Sequence, residues 1–236
     1  MEPIIIDSMV FSPKVLEHHD LPNMLELQLL AKKHMASSDT LQPLSRSEFE
    51  FILNGNGLIV GLFEGQKLVA FRALLMPFID GDHLGLDAGL SLGALSRVIY
   101  LELSIVHPDY RGKGLQLQMG KIVMGAIDRS RYDYVCSTVA PFNIPSLKDK
   151  FVLGLHIVAM SQKYGGKLRY VFMKTFKDEQ NDVQSSEERL IPMSDTATQQ
   201  RLLNEGFIGV SISTVTEEWH VQYLKIAGDK DRNNVH

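Results

Sequence analysis

The sequence predicts an α/β protein in which strands alternate with amphipathic helices. Three observations carry that reading. Apolar residues recur at helical spacing over 21–34 and 115–127, β-branched and aromatic runs occupy 97–106 and 132–140, and Gly-containing turns join neighbouring strand-like segments at Glu64-Gly65 and at 163–167. With 236 residues, 44% of them hydrophobic and 22% charged, the chain is long enough to bury a sizeable core. Lys and Arg number 24 against 28 Asp and Glu, a net charge of −4, and no basic run occurs, which argues against a nucleic-acid partner. The lone Cys136 precludes an intramolecular disulfide and a thiolate-ligated metal site, and a reducing compartment suits it. No basic segment precedes the Ile4-Ile5-Ile6 run, and no stretch reaches the ~18 apolar residues of a membrane span. The expectation is a soluble cytoplasmic protein with no membrane partner.

Taken in order, Leu21 to His34 carries the broad apolar stripe of a core-packed helix, opened by Asp20 and Pro22, and Ser45 to Leu53 reads as a shorter second helix. Gly57 to Met76 alternates as two strands of a hairpin. Ile79 to Ser96, rich in Gly and holding Asp80, Asp82 and Asp87, reads as an irregular, partly helical insertion. Arg97 to Val106 is a strand, and the helix after it places Leu115, Met119, Ile122, Val123, Ala126 and Ile127 on one face. Tyr132 to Ala140 suits a sheet interior and ends at Pro141. Ile144 to Leu153 is a helix with Pro145 in its first turn and Gly154 as its stop, and Leu155 to Met160 and Leu168 to Phe176 form another hairpin. Lys177 to Glu188 has the composition of a linker. Ser194 then caps a helix running to Asn204, Gly206 ends it, Phe207 to Ile226 alternates as a closing hairpin, and Gly228 to His236 reads as a frayed end.

The chemistry concentrates between the strand at 97–106 and the helix after it. A strand that runs through Arg111-Gly112-Lys113-Gly114 into an amphipathic helix presents unpaired backbone N–H groups, at the positive end of the helix dipole, to an anion. Two familiar phosphate loops do not fit. A P-loop needs Ser or Thr where Gly114 stands and Gly where His107 stands, and a dinucleotide fingerprint needs Gly at Leu117.

The run Val106-His107-Pro108-Asp109-Tyr110-Arg111-Gly112-Lys113-Gly114-Leu115 resembles the acetyl-CoA signature of the GCN5-related N-acetyltransferase (GNAT) superfamily, Arg/Gln-x-x-Gly-x-Gly/Ala. Arg111 and Gly114 fit it, whereas Gln116 stands where the family has Gly or Ala. Downstream, Asn143-Ile144-Pro145-Ser146-Leu147 through Gly154-Leu155 is similar to the family's Asn-x-x-Ala/Ser segment. The resemblance spans roughly Leu21 to Phe176. It implies a mixed, mostly antiparallel central sheet flanked by helices and splayed at the strands 97–106 and 132–140, where the pantetheine arm of acetyl-CoA pairs as a pseudo-strand. Backbone N–H groups of Arg111, Gly112, Lys113, Gly114, Leu115 and Gln116 then hold the diphosphate, and a main-chain N–H near Val106 meets the thioester carbonyl. The Lys113 side chain reaches a phosphate or points to solvent. Asn143 contacts the CoA arm with Ser146 beside it, and a helix cap would ask for the same residue type at 143.

For the transfer itself the candidate base is Glu102, an acid in an apolar strand that shares a face with Tyr100, Ser104 and Val106 on strict alternation. The competing reading is a structural acid. The family's tyrosine acid falls at Lys150, with Tyr164 as a spatial substitute or a packing aromatic. Cys136 reads as an inert core thiol, and His18 and His19 lack a third ligand, so no metal is expected. Arg169 reads as a surface pair or an anchor for an acidic acceptor, and Trp219 and Tyr223 as packing against the core or a second subunit.

The chain is thus expected to hold a GNAT-like domain over 1–177, with 178–236 as a linker and a helix-hairpin extension packed on it. The resemblance implies acetyl-CoA-dependent transfer to a primary amine of a small molecule or peptide. The acidic insertion favours a cationic acceptor if it lines a cleft. The rival is a catalytically silent acyl-CoA-binding sensor or interaction module, and homodimerisation is allowed by the resemblance alone.

Overall fold

The computed structural model describes residues 1–35, 41–177 and 185–226. They form two compact units, residues 1–77 with 99–128 and residues 78–98 with 129–236.

In the first unit, strands β1 (Ile4–Ile6), β2 (Met9–Val15), β3 (Gly57–Glu64), β4 (Lys67–Leu75) and β5 (Val98–Val106) pair antiparallel in that order. The hairpin joining β1 and β2 turns at Asp7 and Ser8, both with positive φ, so its turn signal in the sequence is an Asp-Ser pair without the glycine that such a turn favours. Helices α1 (Leu21–Lys33) and α2 (Arg46–Phe51) bury Met24, Leu27 and Phe49 against Ile59, Phe63, Phe71, Leu103 and Ile105. Ser45 opens α2 with a reciprocal cap in which its N–H donates to the Glu48 carboxylate at 2.7 Å and the Glu48 N–H donates back to its Oγ. Buried Gln28 holds both backbone groups of Leu44, at 2.8 and 2.9 Å, and so fixes α1 to the segment leading into α2. Helix α4 (Leu115–Gly125) packs Leu115 and Met119 into a separate cluster with Phe11, Leu62, Val69 and Ala70.

In the second unit, β6 (Tyr134–Val139), β7 (His156–Lys163), β8 (Lys167–Thr175), β9 (Ser185–Pro192), β10 (Phe207–Val215) and β11 (Glu218–Ile226) take the order β6-β8-β7-β10-β11-β9, every pair antiparallel. Its helices are α3 (Leu84–Asp87), α5 (Ile144–Val152) and α6 (Thr196–Asn204). The insertion is partly helical as expected, with α3 followed by a 3-10 segment at Leu92–Arg97. Two readings need correction. Part of the stretch read as a linker is strand β9, which pairs with β11 from Ser185 to Pro192; residues 178–184, like the C-terminal 228–236, lie outside the described residues. The cap of α6 is Asp195, whose carboxylate accepts the Thr198 N–H at 3.0 Å, because the Ser194 hydroxyl is engaged by Glu218 at 2.6 Å. A mostly antiparallel sheet flanked by helices is the architecture the sequence predicts.

Candidate active site

Strand β5 delivers the chain into the Gly-rich turn. The His107 N–H donates to the Val69 carbonyl at 2.8 Å, which makes the Val106–Ala70 pair of the ladder a non-hydrogen-bonded one. The N–H and C=O of Val106 therefore point away from β4. A 3-10 turn at Pro108–Tyr110 follows, in which Tyr110 donates back to His107 at 2.9 Å and Arg111 to Pro108 at 3.2 Å. Tyr110 anchors it: its ring lies edge-on to Phe11 and to His107, and its hydroxyl donates to Glu64. Burial, aided by the Lys67 charge, holds the His107 pKa below its usual value, and its Nδ1 accepts the Asp109 N–H.

Gly112 and Gly114 take φ of +79° and +73°, where a side chain is strained, and a Cβ at either would meet nothing within 4 Å. The turn thus needs glycine for conformation, and the space above it is open. Gly114 begins α4 with no side-chain cap. Among the described residues, the N–H groups of Gly112, Lys113, Gly114, Leu115, Gln116 and Leu117 have no hydrogen-bond partner. This is a row of unpartnered amide donors at the positive end of a helix, chemically suited to a diphosphate.

The side chains of the motif are differently occupied. The Arg111 guanidinium reaches back to the last carbonyls of α1, donating to His34 at 2.9 Å and Ala31 at 3.2 Å, while its own N–H is held in the 3-10 turn. Lys113 lies 3.6 Å from Asp7 in the β1–β2 turn. Beneath the helix start, Arg72 of β4 is 1% exposed and donates from Nη1 to the Gln116 carbonyl at 3.1 Å. Sequence reasoning passed over Arg72, whose signal was a cation in the middle of an otherwise apolar run, Leu68 to Leu75.

Glu102 sits at a bulge. The ladder pairs Leu74 with Leu101 and Ala73 with Leu103, leaving Glu102 as the extra residue. Strict alternation consequently holds only from Leu103 to Val106, so it places neither Glu102 nor Tyr100 on the face of Ser104 and Val106. Glu102 is half-buried, and its carboxyl is pushed up to about 7, first by burial and then by the charge of Glu48. The Ser104 hydroxyl is buried without a partner among the described residues.

Asn143 and Ser146 belong to the second unit. Asn143 caps α5, its Oδ1 accepting the Ser146 N–H at 3.4 Å. Lys150 is buried on α5 with its ammonium 3.2 Å from Asp149. The Tyr164 hydroxyl lies 3.0 Å from Thr138 Oγ1. Burial raises the Cys136 thiol far above its usual range, and His18 is bonded to Asn54. The insertion does not present a free acidic surface at Asp87, because that carboxylate accepts the Ser161 hydroxyl at 2.6 Å and lies 2.6 Å from the Lys163 ammonium, which also bonds the Asp82 carbonyl. No group of three His, Cys, Asp or Glu side chains among the described residues is placed to hold a metal ion, and none of the described helices is long and apolar enough to cross a membrane.

No protein-family profile and no curated protein sequence matches the chain. Solved structures do. The chain is similar to the ribosomal-protein-S18-alanine N-acetyltransferase of Escherichia coli, at 17% identity and TM-score 0.52 over 70% of this chain and 93% of that one. It is similar to the yncA protein of Salmonella typhimurium, solved with its cofactor acetyl-CoA, at 15% identity and TM-score 0.54 over 72% and 96% of the two chains. A GNAT-family acetyltransferase of Listeria monocytogenes matches at 14% identity and TM-score 0.53, over 74% of this chain and all of that one. On that likeness the chain has the fold of the GCN5-related N-acetyltransferases.

Proposed function

We propose that the protein is an acetyl-CoA-dependent N-acetyltransferase that acetylates a primary amine by direct transfer. The observation that carries this is the row of unpartnered amides from Gly112 to Leu117, opened by two left-handed glycines with free space above them. Bound acetyl-CoA supplies the acetyl thioester and a thiolate leaving group. In this reading the amides of Gly112 to Gln116 bind the diphosphate, and the Arg111 guanidinium supports them indirectly by fastening the turn to α1. The Val106 N–H stabilises charge on the carbonyl oxygen under attack. Asn143 and Ser146 contact the CoA arm, the cap and the ligand role of Asn143 being compatible.

Attack requires a neutral amine. Glu102, with its carboxyl near 7, takes the proton directly or through water, so turnover rises with pH through that value. The departing thiolate, with an ordinary pKa of ~8.5, is protonated by solvent without a dedicated donor. The acceptor is a small-molecule or peptide amine. The engagement of Asp87 by Lys163 and Ser161 removes one of the three carboxylates that would draw a cationic one. The lone buried thiol suits the cytoplasm.

One observation favours the second reading, an acyl-CoA-binding module without turnover. The residue in the family's tyrosine slot, Lys150, is buried and paired with Asp149. Calorimetry with CoA and acetyl-CoA, followed by an amine panel with thiol detection, separates the two. Binding together with amine-dependent thiol release that Glu102→Gln abolishes, its CoA affinity unchanged, supports the transferase. Binding with no thiol release on any amine supports the module, and absence of CoA binding overturns both.

A further inference from the structure

Buried arginines are uncommon, and one directly beneath a proposed anion site asks for a reason. Arg72 lies in the centre of β4, paired across the ladder with Val60 on one side and Ser104 on the other. Its guanidinium passes under α4 and donates to the carbonyl of Gln116, a first-turn residue of the helix whose N-terminal amides are unpartnered. That carbonyl already accepts within the helix, so Arg72 takes a second lone pair and does not rescue an unsatisfied group. The contact instead sets the rotation and height of the first turn, and it puts a permanent positive charge behind the amide row.

We infer that Arg72 is a positioning residue for the diphosphate of the acyl donor: it aligns the amides of Gly112 to Gln116 through the Gln116 carbonyl and adds its charge to theirs. The inference rests on the transferase reading and deepens it. It also assigns separate roles to three cations of the region. Arg111 fastens the turn to α1 from outside, Lys113 lies by the β1–β2 turn, and Arg72 acts from below.

A role confined to the diphosphate has a signature that a general packing role lacks. Replacement of Arg72 weakens donors that carry the diphosphate and leaves donors without it unchanged. Arg72→Met, an apolar change of similar length that a buried site tolerates, and Arg72→Lys, which keeps the charge but not the fork, are the variants. Calorimetry with CoA and with pantetheine gives affinities, and initial rates with acetyl-CoA and with S-acetylpantetheine give KM and kcat. For Arg72→Met the expected result is a rise of about tenfold or more in the CoA Kd and the acetyl-CoA KM, as for loss of a charge-assisted hydrogen bond, with kcat and all pantetheine values unchanged. Arg72→Lys restores part of the loss. Equal losses with both donors, or none with either, overturn the inference. In the unaltered chain the 15N resonances of the Arg72 guanidinium shift on adding CoA and not on adding pantetheine, a readout that survives if a variant does not fold; unshifted resonances overturn it too. Failure of the unaltered chain to bind CoA sinks the transferase reading, a result distinct from all of these.

Discussion

Glu102 shows how one extra residue in a strand changes a side chain's chemistry. The bulge lifts it out of the ladder with β4, so that an acid in an otherwise apolar strand is neither fully solvated nor ion-paired, and its proton is held to about 7. The cost to the fold has a definite sign. Below about 4.5 the carboxyl is protonated in both folded and unfolded chains; between there and 7 the unfolded chain releases its proton and the folded chain does not, so stability falls as pH rises, and above 7 the full penalty remains. Glu102→Gln removes the penalty. It is expected to raise unfolding stability by about 2 kcal/mol at pH 8 and to leave it unchanged near pH 4, measured by denaturant titration at the two pH values. An acid made useful at the expense of stability is what a catalytic role predicts, and a structural acid would show the opposite dependence. The bulge itself was hidden in the sequence, because a one-residue slip leaves the alternation on either side intact. Gly112 and Gly114 were legible for the opposite reason: a left-handed backbone strongly favours glycine, so conformation is written into composition.

At the scale of elements, one half-buried carboxylate helps to hold the insertion. Asp87, the last residue of α3, ties that helix to Ser161 and Lys163 of β7. Asp87→Ala leaves the Lys163 ammonium without its closest anion and frees the Ser161 hydroxyl. Amide exchange over 79–96 is expected to rise at least tenfold in that variant while exchange in β10 and β11 is unchanged, read by hydrogen–deuterium exchange. The sequence revealed the insertion and its carboxylates but not their use, since Lys163 is 76 residues away from Asp87 along the chain. Strand β9 escaped for a related reason. Its Glu187, Glu188 and Arg189 are the composition of a loop, yet β9 pairs on one side only, with β11, and an edge strand with a solvated outer side tolerates charge.

At the scale of the whole molecule, one buried polar side chain joins several elements of the second unit. In the second unit the fully buried Gln199 of α6 accepts the hydroxyls of Tyr170 and Tyr223 at 2.7 and 2.9 Å and donates to the carbonyls of Pro192 and Met193. One side chain thereby joins β8, β11, the end of β9 and α6. Met193, Leu202, Leu203, Phe207, Ile208, Val221 and Tyr223 are buried in that unit's core, and the sequence foretold the helix and hairpin there but not this knot. Gln199→Leu strands two tyrosine hydroxyls in the interior and is expected to cost about 2–4 kcal/mol in chemical denaturation, with Tyr223→Phe costing about 1. A cost for Gln199→Leu no larger than for Tyr223→Phe would contradict the network.

The grip of Arg111 on the end of α1 carries a warning for mutagenesis. The signature arginine looks like a ligand contact, yet its guanidinium is committed to another helix. On the proposed function, loss of donor affinity in an Arg111→Ala variant would report a slackened tether rather than a missing phosphate contact, and shortening or stiffening the tail of α1 should alter donor binding without touching the motif at all.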